Sequence, residues 1–482
     1  MSNKVIIIGG GISGLASAWW LSQAGREVEI WESSSRAGGK IKTQQQDGYM
    51  TEDAAALILN FNPEVAEMMK RSGLDKFKSG RSDLASQNRY LLNGGKLNPV
   101  SMKMQGFLFS KNWSMRGRIR MLMEPFIPRG GFENESVTQF ITRRFGRELL
   151  EKAMDPFVSG TLASDPDLAS AAATIGRLVA LERKFGSLTL GTIIHKISRK
   201  KSASVTETFS FEGGMESLVK KLSEQSGVTF KTQHKALAVE PASYSSNSSP
   251  LWKVVGKTTG GEIETPIEAY ASNIIFSTPA YITANLVAPL SAELDTLLRD
   301  IEYAALSVLH TGFDRESISH PLDGTGFLTP KKENTPFNGN IWMSSLFGRR
   351  APDGKTLLTS YLGGARHPEI VEWSDEKVVD RTVASLESIL GVTAPPEHIS
   401  IKRHLKALPL YHGNYAGRLK SINSQLSNRP GLHIAANYMG GVSVRDRILQ
   451  GQLISNKIVA QERELVSSHW NLPAHSSLLH PA

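Results

Sequence analysis

The stretch "VIIIGGGISGLASAWWLSQAG", Val5 to Gly25, constrains this chain more than any other. It carries no charge, so it could read as a spanning helix, the core of a signal peptide, or the opening of a buried α/β unit. Gly9, Gly10 and Gly11 sit inside the run, and each costs a helix about 1 kcal/mol relative to alanine. Lys4 alone is a thin basic flank for a secretory signal. The run divides instead into pieces of different character. Val5–Ile8 is uniformly apolar and β-branched, as a buried parallel strand requires. Ile12 to Ala24 is rich in Ala, Leu and Trp and reads as a buried helix, and "EVEIWE" reads as a second strand ending at Glu32.

In that arrangement the glycines acquire roles. Gly9, Gly11 and Gly14 form G-x-G-x-x-G between strand and helix. Gly9 permits the tight turn, Gly11 lets backbone approach a pyrophosphate, and Gly14 lets the helix pack close to the sheet. The diphosphate would lie at the helix N-terminus, over the free N–H groups around Ile12 and Ser13, where the macrodipole favours anions. Glu32 stands about twenty residues on, where an acid accepts hydrogen bonds from ribose hydroxyls. The expectation is a dinucleotide-binding α/β domain.

The following segment, "ESSSRAGGKIKT", places Arg36, Gly38, Gly39 and Lys40 directly after the acid. It resembles the R-x-G-G-[RK] signature of the flavin amine oxidase superfamily, which implies FAD. Arg36 and the Gly38–Gly39 turn would then reach the diphosphate and the flavin side. The same resemblance implies that distant segments complete the site. Val239 would lie beside the adenine, "ASNIIFSTPA" would supply a buried strand and turn, and Gly441, Val442 and Val444 of "GGVSVRDRI" would start a helix facing the flavin pyrimidine. The chain has no cysteine, so the flavin is expected to be held without a tether to sulfur, and disulfides and thiolate metal sites are excluded. No metal site is expected.

The predicted architecture is α/β. A discontinuous Rossmann-like FAD-binding domain is drawn from 1–75, 205–285 and 428–465. A helical membrane-associated insertion at 85–200 and a β-rich substrate domain at 290–425 interrupt it, with a flexible tail at 466–482. "IWMSSLF" and "TLLTSYLGG" read as strands of the β-rich part, and "PASYSSNSSP" as a mobile polar hairpin loop. The net charge of +9 favours an anionic partner. No module for nucleic acid is present to claim it. "NWSMRGRIRMLMEPFIP" mixes Met, Leu, Ile and Phe with Arg116, Arg118 and Arg120, as in a helix lying in a bilayer interface. No later segment has the length and apolarity to span a membrane.

The middle of the chain narrows the family. "RRFGRELLEKAMDPFVSGTLASDPDLAS", "NRYLLNGGKLNPV", "GFLTP", "GRRAPDGKTLLTSYLGGAR" and "LPLYHGNYAGRL" occur in one order and at uneven spacing. They resemble the blocks of the HemY-type protoporphyrinogen oxidase family across nearly the whole chain. That resemblance implies oxidation of a porphyrinogen, protoporphyrinogen or coproporphyrinogen, to the porphyrin in haem biosynthesis, with O2 as acceptor and hydrogen peroxide as product. Hydride would pass to the flavin, so no catalytic side chain is required. Arg89 is the expected partner of a propionate, Leu328 and Phe347 the expected apolar contacts, and Gly160 a point of close backbone approach. Departures from the family pattern fall at Ser164, His404, Leu410 and Asn414. A cytoplasmic enzyme on the inner face of the cell membrane is expected, with a homodimer and contact with the next haem-pathway enzyme as further expectations. The alternatives are another flavin oxidase acting on an amine or polyene, and a non-catalytic scaffold binding FAD or porphyrin.

Overall fold

Lys4–Ile8 lies at the centre of a five-stranded parallel sheet in a computed structural model of the chain. Its order is Val228–Lys231, Glu27–Trp31, Lys4–Ile8, Asn273–Phe276 and Leu432–Ile434. The structure describes residues 4–470 apart from 101–103, 111, 132–133, 199–205, 244–250 and 262. Strands covered on both faces need apolar side chains throughout, and Val5, Ile6, Ile7, Ile274, Ile275 and Phe276 are all inaccessible. The acid within "EVEIWE" is an exception with compensation. Burial raises the Glu29 carboxyl, but Trp31 Nε1 (2.6 Å), Lys231 (2.9 Å) and Lys4 (2.9 Å) outweigh that and hold it at about 2.

The helix Ile12–Gln23 covers one face of the sheet, and the last helix, Val444–Trp470, packs against it. A Cβ on Gly451 would lie 2.8 Å from the Ser17 nitrogen, and Trp20 Nε1 donates to the Ile448 carbonyl at 3.2 Å. The antiparallel strands His234–Ser243, Leu251–Thr258 and Pro266–Ala271 cover the other face.

A second sheet has seven strands, ordered His398–Pro409, Tyr303–Asp314, Lys355–Gly363, Phe337–Trp342, Gly324–Leu328, Asn88–Asn93 and Lys96–Pro99. The helix Asp375–Leu390 packs on its outer side. A helical lobe from Met104 to Ser198 is built around Trp113, Phe140, Ile141 and Val158. Arg144 is its buried centre, ion-paired to Glu124 and donating to the Gly186 carbonyl at 3.0 Å and the Ile127 carbonyl at 2.9 Å.

Several expected boundaries move. The insertion does not begin at 85, because Asn88–Asn93 pairs in parallel with Gly324–Leu328, with Leu91 opposite Leu328, and belongs to the second sheet. "IWMSSLF" is a strand only to Trp342. Ser344 Oγ then accepts the Leu357 N–H at 3.0 Å in place of a ladder bond, and Met343–Leu346 turns helical. The first part of the expected tail, 466–470, continues the last helix, while 471–482 and residues 244–250 of the polar loop lie outside the described residues. None of the described helices is long and apolar enough to cross a membrane.

Candidate functional site

A cavity of about 1000 Å³ is lined by both sheets and the helical lobe. That is the top of the range for small-molecule sites, ~300–1,000 Å³, and its lining divides into two chemistries.

One half is built from the glycine turn. Gly9 has φ +108° and donates to the Trp31 carbonyl at 2.8 Å. A Cβ on Gly14 would meet the Gly9 carbonyl oxygen at 2.1 Å, so the helix touches the turn there. A Cβ on Gly11 would meet nothing within 4 Å, because it would project into the cavity. Gly11 is also the N-cap, and no side chain caps the helix. The first-turn N–H groups at Ile12 and Ser13, both lining residues, are therefore left for a ligand. Glu32 lines the same half, its carboxylate fixed by the Gly10 N–H at 2.7 Å and the Ser34 N–H at 2.8 Å. The Gly38 N–H donates to the Gly10 carbonyl at 2.8 Å, tying the second glycine turn, with Gly39 and Lys40, to the first. Burial pulls the Lys40 ammonium below its ordinary range.

Val442, Ser443 and Val444 bring the start of the last helix to the cavity. Ser443 Oγ accepts the Asp446 N–H at 3.1 Å, and Asp446 accepts the Ser443 N–H at 3.3 Å, so the end is capped. Arg447 lies behind it, bonded to the Ala436 carbonyl and, at 2.5 Å, to the Gly440 carbonyl, and burial lowers it to about 10.

Besides Gly14, which lies against Gly9 rather than in the lining, three expected cofactor residues stand elsewhere. Arg36 does not line the cavity: its guanidinium donates to the carbonyls of Ala37 (2.9 Å), Gly39 (2.5 Å) and Ile41 (3.0 Å), so it holds the second turn in shape rather than gripping a phosphate. Val239 is fully buried in the core between sheets, and Lys235 and Ala236 reach the cavity instead. A bulge between Ala236 and Ala238 resets the strand's alternation, which periodicity alone does not reveal. Gly441 turns the chain at φ +85° against Asp446 without lining the cavity.

The other half is apolar. Leu328 and Gly160 meet there, a Cβ on Gly160 falling 2.5 Å from Leu328 Cδ2. Arg89 also lines this half. Burial, and the charge of Arg81 beside it, lower Arg89 from its ordinary value. Phe347 is a correction: it is buried with Tyr49, Ala85 and Met343, under the Arg350 guanidinium at 5.6 Å, and does not reach the cavity. Sequence reasoning missed Arg81 and Tyr361, both lining residues. Of the four departures, only His404 lines the cavity, its Nε2 bonded to the Asp53 carbonyl at 2.7 Å and burial lowering it. Ser164 bonds His412 at 3.0 Å, Leu410 packs in a small core with Ala163 and Leu306, and Asn414 caps Tyr415–Ser427 through the Gly417 N–H at 3.1 Å.

The family model described as flavin containing amine oxidoreductase matches residues 12–459. The chain belongs to that family. FAD is the cofactor that its glycine cradle, Glu32 and two helix starts fit. Among curated relatives of this flavin containing amine oxidoreductase, the mitochondrial protoporphyrinogen oxidase of Nicotiana tabacum is 29% identical, covering 93% of each chain. The coproporphyrinogen III oxidase of Bacillus subtilis (strain 168) is 26% identical over 93% of this chain and 96% of the relative. The fold is shared with a crystal structure from Exiguobacterium sp. 255-15, at TM-score 0.75 and 22% identity, covering 96% of this chain and 99% of that one. It is also shared with reduced UDP-galactopyranose mutase, at TM-score 0.69 and 15% identity, covering 96% and 94%.

Proposed function

We propose that this chain oxidises a porphyrinogen to a porphyrin in haem biosynthesis. The observation that carries the reading is the cavity itself: a dinucleotide cradle continuous with an apolar chamber large enough for a macrocycle, with Arg89 at its wall. Relatives named for protoporphyrinogen and coproporphyrinogen oxidation, matching over nearly their full length, support it. When bound, FAD would supply two-electron oxidation with O2 as the final acceptor, so the six electrons that separate porphyrinogen from porphyrin would take three turnovers and three O2, each giving one hydrogen peroxide. The chain's own residues bind and orient. Ile12, Ser13 and Gly39 hold the diphosphate end, and Glu32 takes the ribose. Leu306, Val308, Phe327 and Leu328 present the ring and exclude water, and Arg89 grips a propionate through two hydrogen bonds. No side chain is needed as a nucleophile.

The FAD-loaded protein, given porphyrinogens and, in parallel, amines, is expected to release fluorescent porphyrin and peroxide from the former only. Peroxide from an amine alone, or no porphyrin from a fully yellow sample, overturns the reading.

A peripheral membrane location belongs to the same proposal. Met115, Ile119, Leu122, Met123 and Phe126 are exposed on one side of the segment Met115–Phe126, as a lipid-facing helix would present them. Of the expected arginines only Arg116 is exposed there, and Arg118 and Arg120 are half-buried. Arg118 donates to the Ser110 carbonyl at 3.0 Å, and Arg120 to those of Arg143 (2.5 Å) and Arg144 (3.0 Å). Replacing Ile119 and Leu122 by Gln should move the protein from anionic vesicles to the supernatant, and unchanged partitioning would remove the proposal.

A further inference from the structure

Oxidising a porphyrinogen leaves a proton to be placed. The first two-electron step breaks a methylene C–H bond, the electron pair leaving as hydride, and the macrocycle that remains is cationic. It becomes neutral when a pyrrole N–H bond breaks and its electron pair forms a new C=N bond. Each later step likewise releases one hydride and one proton. The proton needs an acceptor within a chamber whose walls exclude water.

Few lining groups can take it. The arginines and lysines of the lining are donors. Burial pushes the phenols of Tyr90, Tyr303 and Tyr361 up from their ordinary value, so they keep their protons. Glu32 is the one carboxylate among the described lining residues, and its oxygens already take the Gly10 and Ser34 N–H groups at the ribose end. Two imidazoles remain. The His234 N–H donates to the Glu32 carbonyl at 2.9 Å, so that residue stands at the nucleotide end as well. His404 stands where the two halves of the cavity meet. It lies opposite Leu306, a wall of the apolar chamber, in the strand pairing, and its ring is tied to Asp53, the residue before Ala54 and Ala55 of the lining.

The hydrogen bond fixes which nitrogen is free. The His404 Nε2–H donates to the Asp53 carbonyl at 2.7 Å, and a carbonyl oxygen can only accept. The neutral ring therefore carries its lone pair on Nδ1, for which the described residues supply no partner. The surrounding charges oppose protonation. Lys40 lines the same cavity, and Lys402, two residues back on the strand, lies 3.8 Å from the Asp53 carboxylate, which also accepts from the Gln44 amide. Lys406, two residues on, lies over the Tyr281 ring at 4.0 Å. Burial first, then Lys40 and Lys402, outweigh Asp53 and hold the imidazole below its ordinary value. So weak a base suffices, because loss of hydride makes the ring N–H groups acidic.

We propose that His404 is the proton acceptor of the reaction: its Nδ1 takes the pyrrole proton as hydride leaves the substrate, and gives it up when O2 is reduced, so that each O2 gains two electrons and two protons as hydrogen peroxide. The inference rests on the porphyrinogen reading above.

The test uses the FAD-loaded enzyme. His404→Gln keeps an amide donor for the Asp53 carbonyl and removes the basic nitrogen. Its kcat for porphyrinogen should fall about a hundredfold, with KM within about twofold and the flavin spectrum unaltered. The wild-type kcat should decline on the acid side, at a pH below the ordinary imidazole value of about 6.5, because the protonated ring cannot accept, and that decline should be absent from His404→Gln. His404→Asn is the parallel variant if His404→Gln loses its flavin. Nitrogen-15 NMR of the histidine-labelled holoenzyme reads the ring without turnover. The His404 signals, assigned by their loss in the variant, should show a proton on Nε2 and a bare Nδ1 at neutral pH. A kcat in the variant within about threefold of the wild type, an acid decline that survives the substitution, or a proton on Nδ1 at neutral pH overturns the inference and leaves porphyrinogen oxidation standing. No porphyrin from the wild type, with the flavin spectrum intact, overturns the porphyrinogen reading and this inference with it.

Discussion

Gly11 and Gly14 belong to one motif but should fail in opposite ways when each is replaced by alanine. At Gly14 the new Cβ would lie 2.1 Å from the Gly9 carbonyl oxygen and 2.7 Å from Ser277 Oγ. Ordinary carbon–oxygen contact is more than an ångström longer than the first of these distances, and the neighbour is backbone. The helix Ile12–Gln23 must therefore lift from the strand Lys4–Ile8. Overpacking of this kind costs about 1–3 kcal/mol, and it falls on the apoprotein as much as on the holoprotein. At Gly11 the Cβ would meet nothing within 4 Å, so the apo fold should hold to within about 0.5 kcal/mol. The methyl would instead occupy cavity space that a diphosphate needs, and loss of even one backbone hydrogen bond to a charged group, about 1.5–3 kcal/mol, weakens FAD by about tenfold or more. The assay is denaturant unfolding of apoprotein, paired with FAD titration by quenching of its fluorescence. Gly14→Ala should lower the unfolding midpoint, and Gly11→Ala should lower FAD affinity with the midpoint unmoved. The reverse pattern, or unaltered FAD affinity in Gly11→Ala, would refute the assignment of the turn as the diphosphate cradle.

Other outcomes follow from named contacts. His310 is enclosed between the Glu52 carbonyl (3.0 Å from Nε2) and Thr359 Oγ1 (2.8 Å from Nδ1), and burial lowers it to about 4. Its unfolded value is about 6.5, so the unfolded chain binds the extra proton first. The stability it contributes is complete above about pH 6.5 and is lost as pH falls towards 4, by about 3 kcal/mol; His310→Gln should flatten that part of the stability–pH curve in denaturant titrations. Gly160→Ala would place a methyl 2.5 Å from the flexible end of Leu328. It should displace that side chain towards the cavity, raising KM for porphyrinogen several-fold without loss of bound FAD, as steady-state kinetics and the flavin spectrum would show. Arg120→Glu should unfold or loosen the helical lobe, because its partners are the Arg143 and Arg144 carbonyls, and a fall in melting temperature or new protease sensitivity would register it.

The parts of this fold that the sequence discloses are those where one residue type satisfies one local demand. Val5–Ile8 could be read as a buried strand because nothing else tolerates four such side chains between glycines and a lysine. Gly9, Gly11 and Gly14 could be assigned because a turn, a ligand and a helix contact each exclude a Cβ. What stayed hidden depends on partners far along the chain. Arg36 and Lys40 are both basic and adjacent to the same turn, yet one is consumed by the Ala37, Gly39 and Ile41 carbonyls and the other faces the cavity. Val239 was displaced by a single bulge. Phe347 and Leu328 look equally suited to an apolar chamber, and only the tertiary packing of Tyr49 and Met343 around the former decides between them. Arg81 carries no local pattern at all, and only the tertiary fold brings it to the cavity lining.

The pairing of the first helix with the last has a consequence for synthesis. The nucleotide cradle is begun by Lys4–Ile8 and the turn after it, but the strand Leu432–Ile434 and the helix that Gly451 and Ile448 press onto Trp20 and Ser17 are made several hundred residues later along the chain. The nascent amino-terminal unit must therefore wait, with the apolar flank of its helix uncovered, while both intervening regions are made. Flavin capture waits for these distant segments, and the interval before it is when this chain is most exposed to aggregation and most dependent on chaperones.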